Sequence, residues 1–330
     1  MAQLQTKTWV NRYPDVFRTV QLFQARYSST ACPRILSFGC SSGEELQSIR
    51  NYFPTAAIFG CDVNRAALAE AAKVDGCTVF LSTPEAIKAF APFDVIFAMS
   101  VLCRFSLSQT AKSLKSIFSF YEFEDHLGAL NDALSDDGLL CIQNANYLFS
   151  QSSLYPSYAP VRCPLIGTNG FVDKWTADDI RISSIRKFDH GREHKIEFQP
   201  DFLTDDDFRD VVFRKNITAV TELSEPPAPL GGKVISTTGK GADLSVAAAE
   251  RRIAHRHTSE LLQDDTGSMW IGSTVSKTTL SGEIVSLPTW WTHIHPEPAG
   301  QLTPAQEQWV VKPTTGSKYW AKRLLPRWRL

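Results

Sequence analysis

The fold is decided by residues 34–62, whose sequence is RILSFGCSSGEELQSIRNYFPTAAIFGCD. The stretch opens with a short apolar run, residues 35–38, of the length and type of a buried parallel strand. A turn of small residues follows at 39–43, and residues 44–52 have the apolar spacing of a helix. A second apolar run, residues 56–61, ends on Asp62. The stretch predicts a strand, a glycine turn, a helix and a second strand with an acidic residue at its tip.

Two overlapping capping boxes are predicted at the start of that helix. Ser41 and Ser42 are each followed three residues later by a glutamate, Glu44 and Glu45 respectively. A serine that caps the helix and a glutamate that reaches back to it form this motif.

The turn and the acidic residue together suggest nucleoside binding. Glycines let the backbone approach a ligand, and a carboxylate at position 62 is placed to accept hydrogen bonds from ribose hydroxyls. The turn reads Gly39-x-Ser41-x-Gly43 rather than the Gly-x-Gly-x-x-Gly of dinucleotide enzymes. Glu44 would repel a pyrophosphate but not an amino-acid ammonium. This chemistry favours S-adenosylmethionine over NAD as the cofactor.

Residues 37–45, SFGCSSGEE, resemble the first motif of class I S-adenosylmethionine-dependent methyltransferases. They are closest to the chemotaxis receptor glutamate methyltransferases, whose turn is typically Gly-Cys-Ser-Thr-Gly-Glu-Glu. Residues 93–102 are similar to the fourth-strand segment of those enzymes, although Met99 and Ser100 stand where they usually have an Arg-Asn pair. The resemblance covers about residues 10–217. It implies a doubly wound, mostly parallel, seven-stranded Rossmann-like α/β sheet with a reversed final strand.

The expected cofactor site combines the first turn with the tips of the second, third and fourth strands. Its residues are Gly39, Cys40, Ser41, Gly43, Glu44, Asp62, Val63, Ser82, Thr83, Ala98 and Met99. Several of them have an alternative that needs no ligand. The turn can be a simple strand-to-helix turn, Glu44 and Glu45 can be capping partners, and Asp62 and Thr83 can cap the helices that follow them.

No catalytic residue is identified by the sequence, because methyl transfer from an activated sulfonium needs mainly proximity and alignment. The candidates lie after the fourth and fifth strands, where open α/β sheets bind ligands; they are Arg104, Asn144, Asn146 and Tyr147. Asn144 and Asn146 should project to one side of an extended chain, for acceptor binding or for loop capping. His126 is expected to be a helix-surface residue.

The rest of the first 217 residues alternates strands and helices, which predicts the α/β class. A leading helix that begins at Tyr13-Pro14-Asp15 either covers the cofactor or simply packs on the sheet. Residues 150–175 are expected to be an irregular segment that walls the acceptor pocket. Strands are expected at 182–188, 195–198 and 208–217, with a hairpin break at 189–191.

Two domains are predicted: a methyltransferase domain at residues 1–217 and a C-terminal extension of unknown role at 218–330. In the extension, residues 222–240 are expected to be a linker, 245–262 a helix, and 269–320 a β-rich segment.

The extension offers two further candidates. His255 and His257 in a predicted helix would not share a face, whereas His293 and His295 in a predicted strand would, with Glu297 beyond. No metal is expected, because a zinc site needs three or four ligands. Basic and aromatic residues near the C-terminus can bind a nucleic acid or a membrane surface, or can be a solvated tail; they are Lys312, Lys318, Lys322, Arg323, Arg327, Arg329, Trp309, Trp320 and Trp328.

The composition favours a soluble cytoplasmic protein. The net charge is −1, so nucleic acid is not an expected partner of the whole chain. Seven cysteines within residues 32–163, with no Cys-x-x-Cys pair, indicate a reducing compartment. The sequence therefore predicts a methyltransferase for a small molecule or a protein side chain. The rivals are a dinucleotide oxidoreductase, a cofactor-binding scaffold without catalysis, and a nucleic-acid methyltransferase.

Overall fold

The computed structural model describes residues 8–28, 30–166, 169–185, 194–216, 219–223, 233–240, 244–248, 251–263, 269–278, 284–286, 290–293 and 303–311. The helices in these ranges are α1 (Pro14–Tyr27), α2 (Glu44–Tyr52), α3 (Arg65–Ala71), α4 (Pro84–Phe90), α5 (Leu107–Thr110), α6 (Phe120–Ala133) and α7 (Pro304–Glu307). The strands are β1 (Arg34–Phe38), β2 (Ala57–Asp62), β3 (Cys77–Leu81), β4 (Phe93–Met99), β5 (Leu134–Gln143), β6 (Tyr158–Arg162), β7 (Lys174–Trp175), β8 (Arg181–Ile185), β9 (His194–Ile196), β10 (Val212–Lys215), β11 (Thr221–Glu222), β12 (Lys233–Lys240), β13 (Leu244–Ala248), β14 (Arg251–Gln263), β15 (Met269–Thr278), β16 (Ile284–Ser286) and β17 (Trp290–His293).

An eight-stranded sheet with the order β11-β6-β10-β5-β4-β1-β2-β3 carries the fold. Strands β1 to β5 pair in parallel, and β10 runs antiparallel between β5 and β6. The chain winds outward from β1 to β3 and then returns to β4. In doubly wound folds this reversal, at the carboxyl ends of β1 and β4, is where ligands bind. The predicted doubly wound, mostly parallel Rossmann-like sheet with a reversed strand is confirmed. Seven strands of this sheet lie within residues 1–217, as predicted, and the two-residue strand β11 from the predicted extension adds an eighth by pairing with β6.

Both faces of this sheet are buried, which is why its strands are continuous apolar runs. Leu36 and Ile96 pack on one face with side chains of α4 and α6. Ile35 and Val95 pack on the other face with side chains of α1, α2 and α3. The carboxyl edge of the sheet is therefore held by two packed layers.

The leading helix α1 packs on the sheet, as one of its two predicted alternatives requires. Pro14 occupies its first turn, and the Phe17 ring contacts the rings of Tyr52 and Phe97 at centroid distances of 5.4 and 5.0 Å. The residues just before α1 reach the carboxyl edge of the sheet through Tyr13, whose hydroxyl bonds Ser100.

The prediction that residues 150–175 are irregular was wrong for Tyr158–Arg162, which form β6 and pair with β10 and β11. Pro160 lies inside β6 opposite Phe213, and a proline argues against a central strand because it cannot donate to the ladder. The predicted strands at 182–188 and 195–198 correspond to β8 and β9, which form a separate three-stranded sheet with β7. Residues 189–191, the predicted break, lie outside the described residues.

Two predictions for the C-terminal extension were wrong. The predicted helix at 245–262 forms β13 and β14, and β14 pairs with β12, β13 and β15. The last part of the predicted linker forms β12. Pairing with strands distant in sequence overrides the helical preference of the alanines, a context dependence typical of β structure. The expected β-rich segment contains β15, β16 and β17.

The described segment 303–311 packs on the main sheet. The amide of Val311 donates to the Val79 carbonyl at 2.7 Å, and Val310 bridges Phe80 at the β3 edge. Trp309 packs on the core face that α4 and α6 cover. The domain boundary at residue 217 remains a prediction, and this contact crosses it. No described helix has the length and apolar character that a membrane crossing requires.

Candidate functional site

The turn at 39–43 lies at the carboxyl end of β1 and requires its glycines. Gly39 has a φ of 82°, and a Cβ there would lie 2.4 Å from a methyl carbon of Val101. Gly43 has a φ of 100°, and its Cβ would approach Val74 and Ala71 within about 3 Å. The amides of Gly39 and Cys40 both donate to the Cys61 carbonyl, at 2.8 and 2.9 Å. These bonds fix the turn to the end of β2.

The Asp62 carboxylate faces this turn. Its Oδ2 accepts a hydrogen bond from the Ser41 amide at 2.9 Å, and its Oδ1 accepts one from the Asn64 amide at 2.8 Å. Asn64 itself caps α3, with its side-chain oxygen accepting from the amides of Ala66 and Ala67. Asp62 is half-buried, and an ionised carboxylate has about four acceptor positions. The carboxylate can therefore hold the turn and still accept from a ligand.

The predicted capping boxes at the start of α2 are wrong. Gly43 is the residue before the helix, and no side chain caps it. Glu44 instead accepts from the Ser42 hydroxyl at 2.8 Å, and Glu45 accepts from the Ser37 hydroxyl at 2.7 Å. Gly43, in a left-handed conformation, occupies the N-cap position that either predicted box would give to a serine.

Glu45 brings a carboxyl group from α2 to the tip of β1. Burial raises its pKa to about 7, and the Ser37 hydrogen bond and the nearby Arg12 act in the opposite direction. The side chain keeps partial solvent access. A carboxyl group of this kind changes charge near neutral pH, and strongly shifted groups of this kind are common in functional sites.

Two predicted cofactor residues, Cys40 and Thr83, have side chains that serve the fold. Cys40 is buried, a Cβ on Gly60 would lie 2.9 Å from its sulfur, and burial raises the pKa of its thiol. The Thr83 hydroxyl accepts from the Ala86 amide at 3.2 Å and so caps α4, as its alternative predicted. The buried Cys40 can offer a ligand only its backbone, whereas the Thr83 hydroxyl still has its O–H to donate.

The remaining predicted cofactor residues surround the turn. Ser82 follows β3, and its amide donates to the Asp62 carbonyl at 2.9 Å. Val63 is 46% exposed beside Asp62. Ala98 and Met99 are buried at the end of β4, where Ser100 turns the chain with a φ of 58°. The structure thus brings the tips of β1, β2, β3 and β4 to one edge.

The four catalytic candidates are engaged in holding loops. Asn146 accepts from the Arg104 amide at 2.7 Å and donates to the Asp173 carbonyl at 2.9 Å. The Arg104 side chain donates to the Ile117 carbonyl at 3.1 Å, and the Tyr147 hydroxyl donates to the Phe118 carbonyl at 2.8 Å. These contacts support a structural role for Arg104, Asn146 and Tyr147.

The prediction that Asn144 and Asn146 extend from one strand face was wrong, because Asn144 has a φ of 60°. Its Oδ1 accepts from the Phe171 amide at 2.5 Å, and its Nδ2 donates to the Ser100 hydroxyl at 2.7 Å. His126 was also misplaced. It is half-buried, its ring lies 6.2 Å from that of Phe38, and burial lowers its pKa.

The residues before α1 form a polar network that the sequence did not reveal. The Tyr13 hydroxyl lies 2.5 Å from that of Ser100 and 3.3 Å from Asn144 Nδ2. Burial raises the pKa of Tyr13 to about 12. The Arg12 guanidinium lies over the rings of Trp9, Tyr13 and Phe171, at 4.7, 5.1 and 5.8 Å. The only sequence signal was a basic and an aromatic residue next to the first helix.

Metal binding finds no support in the described ranges, where no group of three or more His, Cys, Asp or Glu is placed to hold an ion. The claim that His255 and His257 lie on different helix faces was wrong, because both lie in β14. His293 ends β17, whereas His295, Glu297 and the basic residues beyond 311 lie outside the described residues.

Residues 36–121 match the model of a family described as a methyltransferase domain. No curated protein matches the chain. Among solved structures, the plantazolicin methyltransferase BpumL in complex with S-adenosylhomocysteine is 22% identical, over 39% of this chain and 47% of BpumL, with a TM-score of 0.28. This chain therefore spans less than half the length of BpumL.

Two other solved structures match with different coverage. CalS10, an amino pentose methyltransferase from Micromonospora echinaspora with S-adenosylmethionine bound, is 12% identical over 87% of this chain and 76% of its own, with a TM-score of 0.31. PKMT2 from Rickettsia typhi is 16% identical over 41% of this chain and 26% of its own, with a TM-score of 0.29. The similarity to chemotaxis receptor enzymes stays a prediction. The segment that holds the turn, Asp62 and β4 lies within the residues that match the methyltransferase-domain family, in line with the resemblance found in the sequence.

Proposed function

We propose that the chain is an S-adenosylmethionine-dependent methyltransferase that acts on a small molecule or a protein side chain. One observation carries the proposal: the half-buried Asp62 carboxylate faces the 39–43 turn and accepts from the Ser41 amide. A carboxylate at the tip of β2, beside a turn at the tip of β1, is where doubly wound folds bind ribose hydroxyls.

The donor set around the turn fits this cofactor. Asp62 suits the ribose, and the backbone of the turn from Gly39 to Gly43 suits the amino-acid part. Glu45, when ionised, matches an ammonium, and Glu44 adds negative charge beside it. Arg12, which acts on the Glu45 pKa, is a match for a carboxylate. The tips of β3 and β4, at Ser82 and at Ala98 and Met99, would flank the adenine and the sulfur respectively.

When bound, S-adenosylmethionine supplies a methyl group on a positively charged sulfur that is already activated for transfer. The task left to this chain is therefore alignment, which is what a network of fixed side chains provides. Tyr13, Ser100 and Asn144 are bonded to one another at the ends of β4 and β5. The Tyr13 hydroxyl is protonated at neutral pH, and burial raises its pKa further, to about 12.

The acceptor would enter beside the roof that Arg12, Phe105 and Phe171 form. The Phe105 and Phe171 rings meet edge to face at 5.2 Å, and Arg12 lies over Phe171. A wall of aromatic rings and one cation suits a planar or anionic group. Met99 and Ser100 replace the usual Arg-Asn pair of the chemotaxis enzymes, so a receptor glutamate is not the acceptor that we propose.

Calorimetric titration with S-adenosylhomocysteine tests the proposal. The wild type should bind, and Asp62→Asn should weaken binding at least about tenfold, because a hydrogen bond to a charged group contributes about 1.5–3 kcal/mol. The matched control is Asp94→Asn. Asp94 also accepts a backbone amide, that of Arg34 at 2.8 Å, but at the opposite edge of the sheet. No binding by the wild type, or equal loss in both variants, would overturn the proposal.

The rival proposal of a scaffold without catalysis makes the same prediction for binding and differs in turnover. Incubation of the protein with S-adenosylmethionine and fractionated extracts should release S-adenosylhomocysteine in at least one fraction. A scaffold would bind the cofactor and release none.

A further inference from the structure

A buried lysine, Lys174, lies at the start of β7 and plays no part in the cofactor site. Its side chain is fully buried. Its ammonium donates to the Ala145 carbonyl at 2.6 Å and to Asn169 twice, at the backbone oxygen (3.1 Å) and at the side-chain Oδ1 (3.4 Å). Burying a charged amine is costly unless its hydrogen bonds are satisfied. Three oxygen acceptors match the three donors of an ammonium.

These bonds close a loop, residues 169–174, which we name the roof loop. Lys174 at the end of the loop bonds Asn169 at its beginning, and we call this closure the neck of the loop. The same ammonium also bonds the Ala145 carbonyl, just after β5. The loop carries Phe171, which contacts Arg12 and Phe105. Cys103, Phe171 and Val172 pack together in one apolar cluster, so the roof loop also rests on the segment after β4.

The roof loop is joined to the proposed acceptor side of the site through Asn144. The Phe171 backbone amide donates to Asn144 Oδ1, and the side-chain Nδ2 of Asn144 donates to the Ser100 hydroxyl. Gly170, with a φ of 84°, makes the approach possible, since a Cβ there would lie 1.7 Å from Asn144 Oδ1. The position of Phe171 therefore depends on where the neck of the loop is held.

We propose that Lys174 is a positioning residue that closes the neck of the roof loop and so holds Phe171 over the acceptor side of the methyl-transfer site. The inference rests on the proposed function for the site that the loop covers. It assigns Lys174 no contact with cofactor or acceptor.

The charge of Lys174 gives the neck a dependence on pH. Burial lowers the pKa of Lys174 to about 7, while the Cys103 thiol and Asp173, which face it, act in the opposite direction. Asp173 is itself paired with Arg181 of β8. Because this pKa is lower in the closed neck than the ordinary value of 10.5 for an exposed amine, opening the neck takes up a proton above pH 7, so the closed neck becomes more stable relative to the open one as the pH rises through 7.

Hydrogen exchange of the full chain, followed by mass spectrometry with and without S-adenosylhomocysteine, tests the proposal. In Lys174→Met, exchange of residues 170–173 should be at least about tenfold faster than in the wild type, because a charged hydrogen-bond donor is lost. Ligand protection of these residues should appear in the wild type and be lost in the variant. Residues 39–43 should be protected by ligand in both.

Lys215→Met is the matched control. The Lys215 ammonium also bonds two backbone carbonyls, those of Asn131 and Leu134 at 2.8 and 3.0 Å, but at the amino end of β5. In Lys215→Met, hydrogen exchange of residues 170–173 should equal that of the wild type. If Lys174→Met does not fold, the wild type between pH 6 and pH 8 gives the same comparison. Corrected for intrinsic exchange, protection of 170–173 should rise as the pH rises above 7, because opening the neck must then protonate Lys174, and unchanged or falling protection would contradict its role.

The outcomes separate the two proposals. Protection of 39–43 by ligand, with equal exchange of 170–173 in wild type and Lys174→Met, would overturn the role of Lys174 alone. Protection of no segment by ligand would overturn the proposed function, and the exchange without ligand would still measure the neck.

Discussion

The candidate site has two halves, which differ in the sequence separation between the residues that hydrogen-bond to one another. In the cofactor half, Ser41 and Asp62 are 21 residues apart and belong to one strand–helix–strand unit. In the roof half, Tyr13 bonds Ser100 and Asn144, which are 87 and 131 residues away. Contacts within one strand–helix–strand unit therefore form the first half, whereas contacts between segments distant in sequence form the second. Under the proposed function the first half binds the cofactor and the second holds the roof loop, so mutations in the two halves should have separate effects.

The largest effect is expected in the cofactor half, at Gly39→Ala. The new methyl group would meet Val101 and occupy a left-handed backbone conformation. The free energy of unfolding should fall by about 2–5 kcal/mol, from overpacking and from the positive φ together. Urea denaturation measures the loss. Gly39→Ala with Val101→Ala should recover the overpacking part, and a double variant as unstable as the single one would contradict the steric cause.

The next largest effect is expected in the roof half, at Asn144→Ala. The substitution removes the partners of Phe171, Ser100 and Tyr13 in a fully buried place. It should cost about 2–4 kcal/mol of stability, because buried groups are left unsatisfied. Asn216→Ala is the control, since that exposed amide bonds only Asp136 in the described contacts. Similar losses in urea denaturation for the two variants would show that Asn144 does not join the roof segments.

A smaller effect is expected from the pH dependence of Glu45. Its pKa is about 7 in the fold and about 4.5 when unfolded, so the folded state binds the proton more tightly. The stabilisation is complete below pH 4.5 and is lost as the pH rises to 7, by about 1–3 kcal/mol. Urea denaturation at pH 5 and 7.5 should show this slope in the wild type. In Glu45→Gln the corresponding part of the slope should vanish, and an unchanged slope would contradict the shifted pKa.

The smallest effect is expected at Tyr13→Phe, which removes one hydroxyl from the network at the ends of β4 and β5. Stability should fall by about 1 kcal/mol, the usual contribution of a hydrogen bond. Tyr27→Phe is the control, since Tyr27 is 43% exposed at the end of α1. An unchanged midpoint in urea for Tyr13→Phe would show that the hydroxyl does not tie the leading segment to the sheet.

The sequence was sufficient for the sheet and for the position of the turn. Apolar runs at 35–38, 56–61 and 93–99 with glycines between them specify parallel strands, and their carboxyl ends must meet at one edge. The hydrogen-bond partners of Ser41 and Ser42 were not predictable. Two glutamates lie at capping distance from them, but capping also depends on the backbone angles of the turn, which the sequence does not give. The left-handed Gly43 decided against the capping boxes.

The roof half was not predictable for a different reason. Lys174 and Asn169 are ordinary polar residues in a segment rich in Ser, Pro and Tyr, and their burial follows from strands that pair far along the chain. Pro160 argued against a strand at the position of β6. The alanines of residues 245–262 suggested a helix where β13 and β14 pair. In each case long-range pairing decided the structure.

The most direct test of the central claim is a crystal structure of the chain with S-adenosylhomocysteine bound. We expect both ribose hydroxyls within hydrogen-bond distance of the Asp62 carboxylate, with the amino-acid part against the turn at 39–43 and the sulfur near the end of β4. A nucleoside bound elsewhere, or one that leaves Asp62 without a contact to the ribose, would contradict it.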